Sequence, residues 1–550
     1  MNMTLSKNPI DNNIDNLSSL STKLILDEFI WGHRLYNEQT ATMTLLEFLN
    51  LATFAFKQDE LLVINAESIK NEHEVSDNAL YGFFPYSAKL LWRVRELVFN
   101  NPYLDYYAKQ DLNNDALWAE WEKKFKENSL FCKKADLSYL KNTFDYFSRF
   151  YETISLLRAN AFETLSQKRW TSKYLFPYGI NSLYEDVELK SKVGINSGEG
   201  SSEYSVSVDR RFFARTGEIL YLMLAFSKVN KRIAELLTEK FFKEKSALDN
   251  LIVLLEDAPN DCPCGVKDSV DINAGALPLI HHKIFDSLGE DWVNILENNI
   301  PTNDALYYLS QISYLHLIRY FLIRSKEVLG DDVNTDIICE ILSPQRNKIR
   351  TLSASRYVQN SELSLKAINK YIDNIKQTKT WQELSNEDSL EELHEFIKKF
   401  FLLNNEIYDE IKAKPDKESV LDFIRKTAIV RHKEHVYNVH REYGKQIGLV
   451  SSVGTNRFRY ILSDQLIKTL VVANVKDRMT TTDFYRQIYE RYEIIVSQDE
   501  GKRYVESNNC DNKDFENNVK ALENRLNSLG LLIRLSDSFA YIVNPFNKHN

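Results

Sequence analysis

Three groups of residues in this 550-residue chain have types and spacing that could do chemistry. The first is Arg210, Arg211 and Arg215, which come just ahead of the apolar run Ile219 to Phe226 and so gather three guanidinium groups at the mouth of a buried helix. Exposed amides at a helix N-terminus and planar guanidinium forks both favour an anion, and a phosphate is the ligand such a cluster would take. The same arginines could instead pair with Asp209 and Glu218 and fix a domain contact. No glycine-rich fingerprint or Walker lysine accompanies them.

The second group has the residue types of metal ligands. Cys262 and Cys264 precede His281 and His282, but one residue separates the cysteines and the histidines are adjacent, whereas structural zinc pairs stand about two to four residues apart. A turn with free thiols is the expectation. His432 and His435 can share a helix face, yet no third ligand follows at a usable spacing. They read as part of a solvated basic helix with Arg425, Lys426, Arg431, Lys433, Arg441 and Lys445. The triplet Glu188-Leu189-Lys190 lacks the further acid that a metal-dependent nuclease needs. Neither a metal nor another cofactor is expected.

The third group has nucleic-acid chemistry. On a 3.6-residue period Asn517, Lys520 and Asn524 turn away from the apolar stripe Phe515, Val519, Leu522, Leu526 and Leu529. Asparagine can bond an adenine edge, and lysine a guanine edge or a phosphate. Arg457 and Arg459, if they lie on the same side, would add backbone contacts. After Pro344, Arg346, Lys348, Arg350 and Arg356 form a second basic stretch, suited to a phosphate backbone or to an acidic partner subunit.

The elements that must present this third group read as the end of a winged helix. Gly530 stops the helix, and two short β-prone runs, Leu531 to Leu535 and Phe539 to Val543, flank Ser536-Asp537-Ser538. Asn544-Pro545 closes the hairpin. Upstream, Ser463 or Asp464 caps a helix through Leu466, Leu470 and Val471, and Thr480 to Tyr492 supplies another. Thr455 to Leu462 alternates as a strand does.

The rest of the chain reads as mainly α. Gly 16 and Pro 11 are few for this length, which favours long helices. Thr44 is the candidate cap of a helix containing Leu45, Leu46, Phe48 and Leu49. The aromatic intervals Trp118, Trp121, Phe125 and Phe144, Phe147, Phe150 read as core contacts between helices. Leu306, Leu309, Ile312, Leu315, Ile318 and Leu322 line one side of a long helix in which His316 is satisfied by packing. The boundaries that follow are a polar tail at 1–20, helical domains at 21–180 and 181–345, a basic helical connector at 346–447 and the winged-helix domain at 448–550.

A formal net charge of -9 opposes nonspecific coating of DNA, so any nucleic-acid contact must come from a local face. Five scattered cysteines and no export signal or apolar span point to the cytoplasm.

Arg211-Phe212-Phe213-Ala214-Arg215-Thr216-Gly217-Glu218 and the ending Leu535-Ser536-Asp537 to Asn544-Pro545-Phe546 resemble uncharacterised proteins encoded in bacterial antiviral defence clusters. The resemblance implies a cytoplasmic accessory subunit with protein partners, and it transfers no catalytic residue. The expected function is a nucleic-acid-associated adaptor that contacts double-stranded DNA through its winged helix. The alternatives are a pure protein-interaction scaffold and an enzyme with a nonlocal phosphate or nuclease site near Arg210 to Glu218.

Overall fold

The computed structural model describes the chain apart from residues 1–23, 34, 65–79, 83–84, 90, 130–131, 134, 160, 167–169, 176, 184–188, 192–203, 207–215, 244–245, 257–268, 274, 342–346, 385–389, 454–456, 537–538 and 548–550. Its regular structure is mainly helical, with strands confined to short pairs and one three-stranded sheet. No described helix is long and apolar enough to cross a membrane.

The N-terminal helices α1 (Asp27–Trp31) and α2 (Ala41–Phe56) flank a break that begins at Gly32. Thr40, not Thr44, caps α2: its hydroxyl accepts from the Met43 amide at 3.2 Å. Thr44 lies one turn inside, where its hydroxyl meets that of Tyr314 at 2.9 Å. Next come α3 (Thr216–Ala225), buried along its whole length, and α4 (Lys283–Glu297).

The 28-residue helix α5 (Thr302–Leu329) is the axis of the molecule. Its anticipated stripe is buried, and so is the opposite side, through Ser313, Tyr314, His316, Arg319 and Tyr320. A helix covered all round draws many of its polar side chains into internal contacts. His316 accordingly meets Asp291 at 2.6 Å.

The second half of the chain wraps this axis. It runs through β1 (Ile337–Ile338), α6 (Lys348–Ser361), α7 (Leu363–Asn374), α8 (Lys417–Glu434) and α9 (Val439–Gln446). The terminal unit then follows in the order α10 (Asp464–Asn474), β2 (Arg478–Thr480), α11 (Thr481–Tyr492), β3 (Ile494–Ile495), α12 (Asn512–Ser528), β4 (Leu532–Ser536) and β5 (Phe539–Val543). Ser463 caps α10, Thr480 caps α11, and Asp511 with Asp514 forms a capping box on α12. Gly530, at φ +71°, supplies the left-handed residue after α12. The sheet order is β2-β5-β4, with both pairings antiparallel. Of the run Thr455 to Leu462, the described residues hold the two-residue strand Arg459–Tyr460, paired with Val450–Ser451, and Thr455 and Asn456 lie outside them.

The apolar core does not follow the boundaries drawn from sequence. One cluster runs from Leu24 through α2, α3, α5 and α8 to Ile542 of the hairpin, so the terminal unit shares its interior with the rest. β3 also pairs in parallel with β1, stitching that unit to the middle of the chain. Of the three smaller clusters among the described residues, the largest is aromatic: Trp118, Trp121, Phe125, Phe147 and Phe150 pack together with Ile252 and Leu255. Trp118 stacks on Phe150 at 5.2 Å, as expected of helix-to-helix core contacts.

Candidate docking surface and the buried polar networks behind it

The start of α3 is closed to an external anion. Thr216, Gly217 and Glu218 are buried, and the Gly217 amide donates to the Glu47 carboxylate at 2.9 Å while the Thr216 amide donates to Gln39 at 3.3 Å. Gln39 also donates to Glu47 at 2.8 Å. A carboxylate of the chain itself occupies the place that helix-terminal amides offer a phosphate. Arg210, Arg211 and Arg215, on which the anion-site expectation rests, lie outside the described residues.

The histidines are spent on packing. His282 caps α4, accepting from the Ile284 amide at 3.1 Å, and its other ring nitrogen meets Glu327 at 3.1 Å. His435 meets Asn37 at 3.2 Å. His440 is buried, stacked on Tyr357, and receives the Tyr460 hydroxyl at 2.8 Å. Asn360 donates to the same Tyr460 oxygen at 2.8 Å, which leaves the hydroxyl hydrogen for His440. Burial pushes His440 down to about 3, so it is neutral. Among the described residues no group of three His, Cys, Asp or Glu side chains could hold a metal; Cys262, Cys264 and Glu188 lie outside them.

His432 sits in an arrangement that no local motif announced. Its Nδ1 meets Asp27 at 2.8 Å and its Nε2 meets Ser364 Oγ at 2.9 Å, an Asp–His–Ser relay. A carboxylate only accepts, so Nδ1 carries a hydrogen towards Asp27, while Nε2 and the serine hydroxyl share the second hydrogen bond. The relay is sealed, with Ser364 1% and His432 0% exposed and Trp31 stacked on the imidazole at 5.2 Å. A nucleophile must be reachable, so these residues act as a clasp joining α1, α7 and α8. Arg431, beside it, pairs with Glu28 and faces Asp27 at 3.7 Å. Burial raises the Asp27 carboxyl, but His432 and Arg431 outweigh it and hold Asp27 below its usual value.

Several cations of the basic stretches are turned inward or paired. Arg459 is 1% exposed and donates to Glu340 at 2.5 Å, while Arg350 reaches the other oxygen of Glu340 at 2.7 Å. Arg457 is exposed, so the two do not present one face, and neither Arg459 nor Arg350 is placed to follow a phosphate backbone. Lys348 pairs with Asp511, and Arg356 is buried, donating to the Asn334 carbonyl at 2.7 Å. Arg346 lies outside the described residues. On α8, Arg425 pairs with Asp373 and Asp422, so that basic helix carries its own counter-charges.

The outer surface of the terminal unit remains. Phe515, Leu522 and Leu526 of α12 face inward as the stripe required, with Val519 and Leu529 half-buried, while Asn517, Lys520 and Asn524 are exposed. Asn518, between them, is buried and ties α12 to the middle of the chain, accepting from the Ile341 amide at 2.9 Å and donating to the Cys339 carbonyl at 3.0 Å. The hairpin buries Leu532, Ala540 and Ile542 on one face. The other carries Ile533 at 48%, Leu535 at 63% and Phe539 at 45% exposure. Both faces of β4 and β5 are apolar in sequence, so alternation does not tell which of them is left in water.

No protein-family model matches this chain, and no curated protein or solved structure matches it either. The resemblance to defence-cluster proteins stands on its two short motifs alone.

Proposed function

We propose that this chain is an adaptor subunit whose residues 464–543 form a winged helix used to dock a protein partner. The order α10, β2, α11, α12, hairpin, interrupted after α11 by the two-residue β3 and the short helix Lys502–Glu506, with β2 joined to the second strand of the hairpin, supports the winged-helix reading. The observation that carries the function is the contrast on that unit. Ile533, Leu535 and Phe539 are exposed on the wing, while Arg459 and Arg350 are drawn into Glu340. A wing that follows DNA needs cations for phosphates, and its counterpart here is apolar. Membership of a bacterial multiprotein defence system, as the short motifs imply, is compatible with such a subunit.

A second reading has its own support. Asn517, Lys520 and Asn524 are exposed on one side of α12, the helix that would enter a major groove. Titrating the full chain with labelled duplex DNA across a salt series separates the two. Protein docking predicts at most weak binding, unchanged by Lys520→Ala or Asn524→Ala. Steeply salt-dependent binding lost with those substitutions assigns the unit to DNA.

A further inference from the structure

The outward face of the three-stranded sheet carries a charge as well as apolar area. Ile533 and Tyr541 are cross-strand partners, and Phe539 lies two residues from Tyr541 on the same side, with ring centroids 5.2 Å apart and edge to face. Arg478, on β2, holds its guanidinium 5.2 Å from the Tyr541 ring centroid and is itself exposed. Among the described residues Arg478 makes no ion pair. A guanidinium laid on an aromatic face keeps its N–H fork for a carboxylate arriving from outside.

The size and edge of this face limit what can cover it. Half-exposed side chains of these kinds offer on the order of 300–400 Å² in all. A standard interface buries about 800 Å² per partner, so a second copy seated on this face alone would not hold. Strand addition is opposed as well. Of the two edges, β2 is only three residues long, and β4 has a register shift between Arg534 and Ser536, with Arg534 tied to Glu523. A bulge and a charge are the devices that blunt an edge. A short linear segment lying across the face satisfies both limits.

We infer that this face binds a short linear segment of a protein partner, with apolar side chains packing on Ile533, Leu535, Phe539 and Tyr541 and one carboxylate taken by Arg478. The inference rests on the adaptor reading and specifies the partner's chemistry. The test is selection of a random peptide display library on the full-length protein, with Leu535→Asp as the counter-selection target. Synthetic versions of the selected peptides are then measured by fluorescence anisotropy, and each variant is checked for an unchanged melt. Enriched peptides combining apolar residues with an aspartate or glutamate are expected. Leu535→Asp or Phe539→Ala should weaken them by about tenfold or more. Arg478→Ala should weaken the acidic peptide and leave its acid-to-amide analogue unaffected. Equal weakening of both peptides, or enrichment without an acid, overturns the carboxylate contact, and failure of any peptide to distinguish wild type from Leu535→Asp overturns the site. If that failure is accompanied by protein crosslinking from position 535 in host cells, the adaptor reading survives and the linear segment does not; nucleic acid crosslinked there ends both.

Discussion

The Asp27–His432–Ser364 clasp and the outer face of the β4–β5 hairpin invert what their residue types advertise. The clasp has the atoms of a hydrolytic relay and no opening, since Ser364 and His432 are 1% and 0% exposed. The hairpin has side chains that belong in a core and leaves Leu535 63% exposed. Accessibility therefore decides the role of each: polar atoms in fixed, saturated hydrogen bonds hold a fold together, and apolar atoms left in water wait for a partner. Chemistry inferred from residue types alone assigns the two regions the wrong way round.

The largest effect should come from removing Arg431, whose pair with Glu28 extends the clasp. Arg431→Ala leaves Glu28, which is 1% exposed, as an uncompensated buried carboxylate, and should cost about 3–5 kcal/mol in urea unfolding. A loss under about 1 kcal/mol would mean that the clasp contributes little and would remove one side of the contrast.

Acid should act next. His440 is neutral in the fold with its pKa near 3, while an unfolded histidine takes up a proton near 6.5. Between those values the unfolded chain binds more protons, so stability falls as pH drops, by about 1.4 kcal/mol per unit where the difference is complete. Asp27, held below 3.8, adds to the loss only in the more acidic part of that range. His440→Gln should flatten the stability profile between roughly pH 6 and 4 relative to wild type. A profile with the same slope as wild type would contradict the assignment.

Gly530→Ala should have a smaller effect. A Cβ there meets nothing within 4 Å, so the whole cost is the left-handed φ of +71°, about 1 kcal/mol by thermal melt. The smallest effect belongs to the wing: Leu535→Asp should change stability by no more than about 0.5 kcal/mol, because a side chain already in water loses no burial. A large loss would show that Leu535 supports the fold and is not held out for docking.

What was legible in the sequence was local. The α12 stripe, its stop at Gly530, the hairpin, the caps Ser463 and Thr480 and the length of α5 are each written within a few turns of chain. Long-range pairing was not legible. Asp27 and His432 are 405 residues apart, β1 and β3 are two residues each, and β2 is three. No period can register in segments that short. Arg459 misled for a related reason: alternation fixes that a strand has two faces, but only the position of Glu340 determines which face is buried. The carboxylate that meets the Gly217 amide at the start of α3 comes from Glu47 on a different helix, a pairing that no local pattern announces.

The contrast is tested most directly by placing a photo-crosslinking amino acid at position 535 on the wing, and separately at 524 on α12, in the full-length protein in its native host. The account predicts a discrete protein adduct from 535, absent when Phe539→Ala is added, and no nucleic-acid adduct from 524. Nucleic acid crosslinked from 524, with no protein from 535, would contradict it and make α12, not the wing, the working surface.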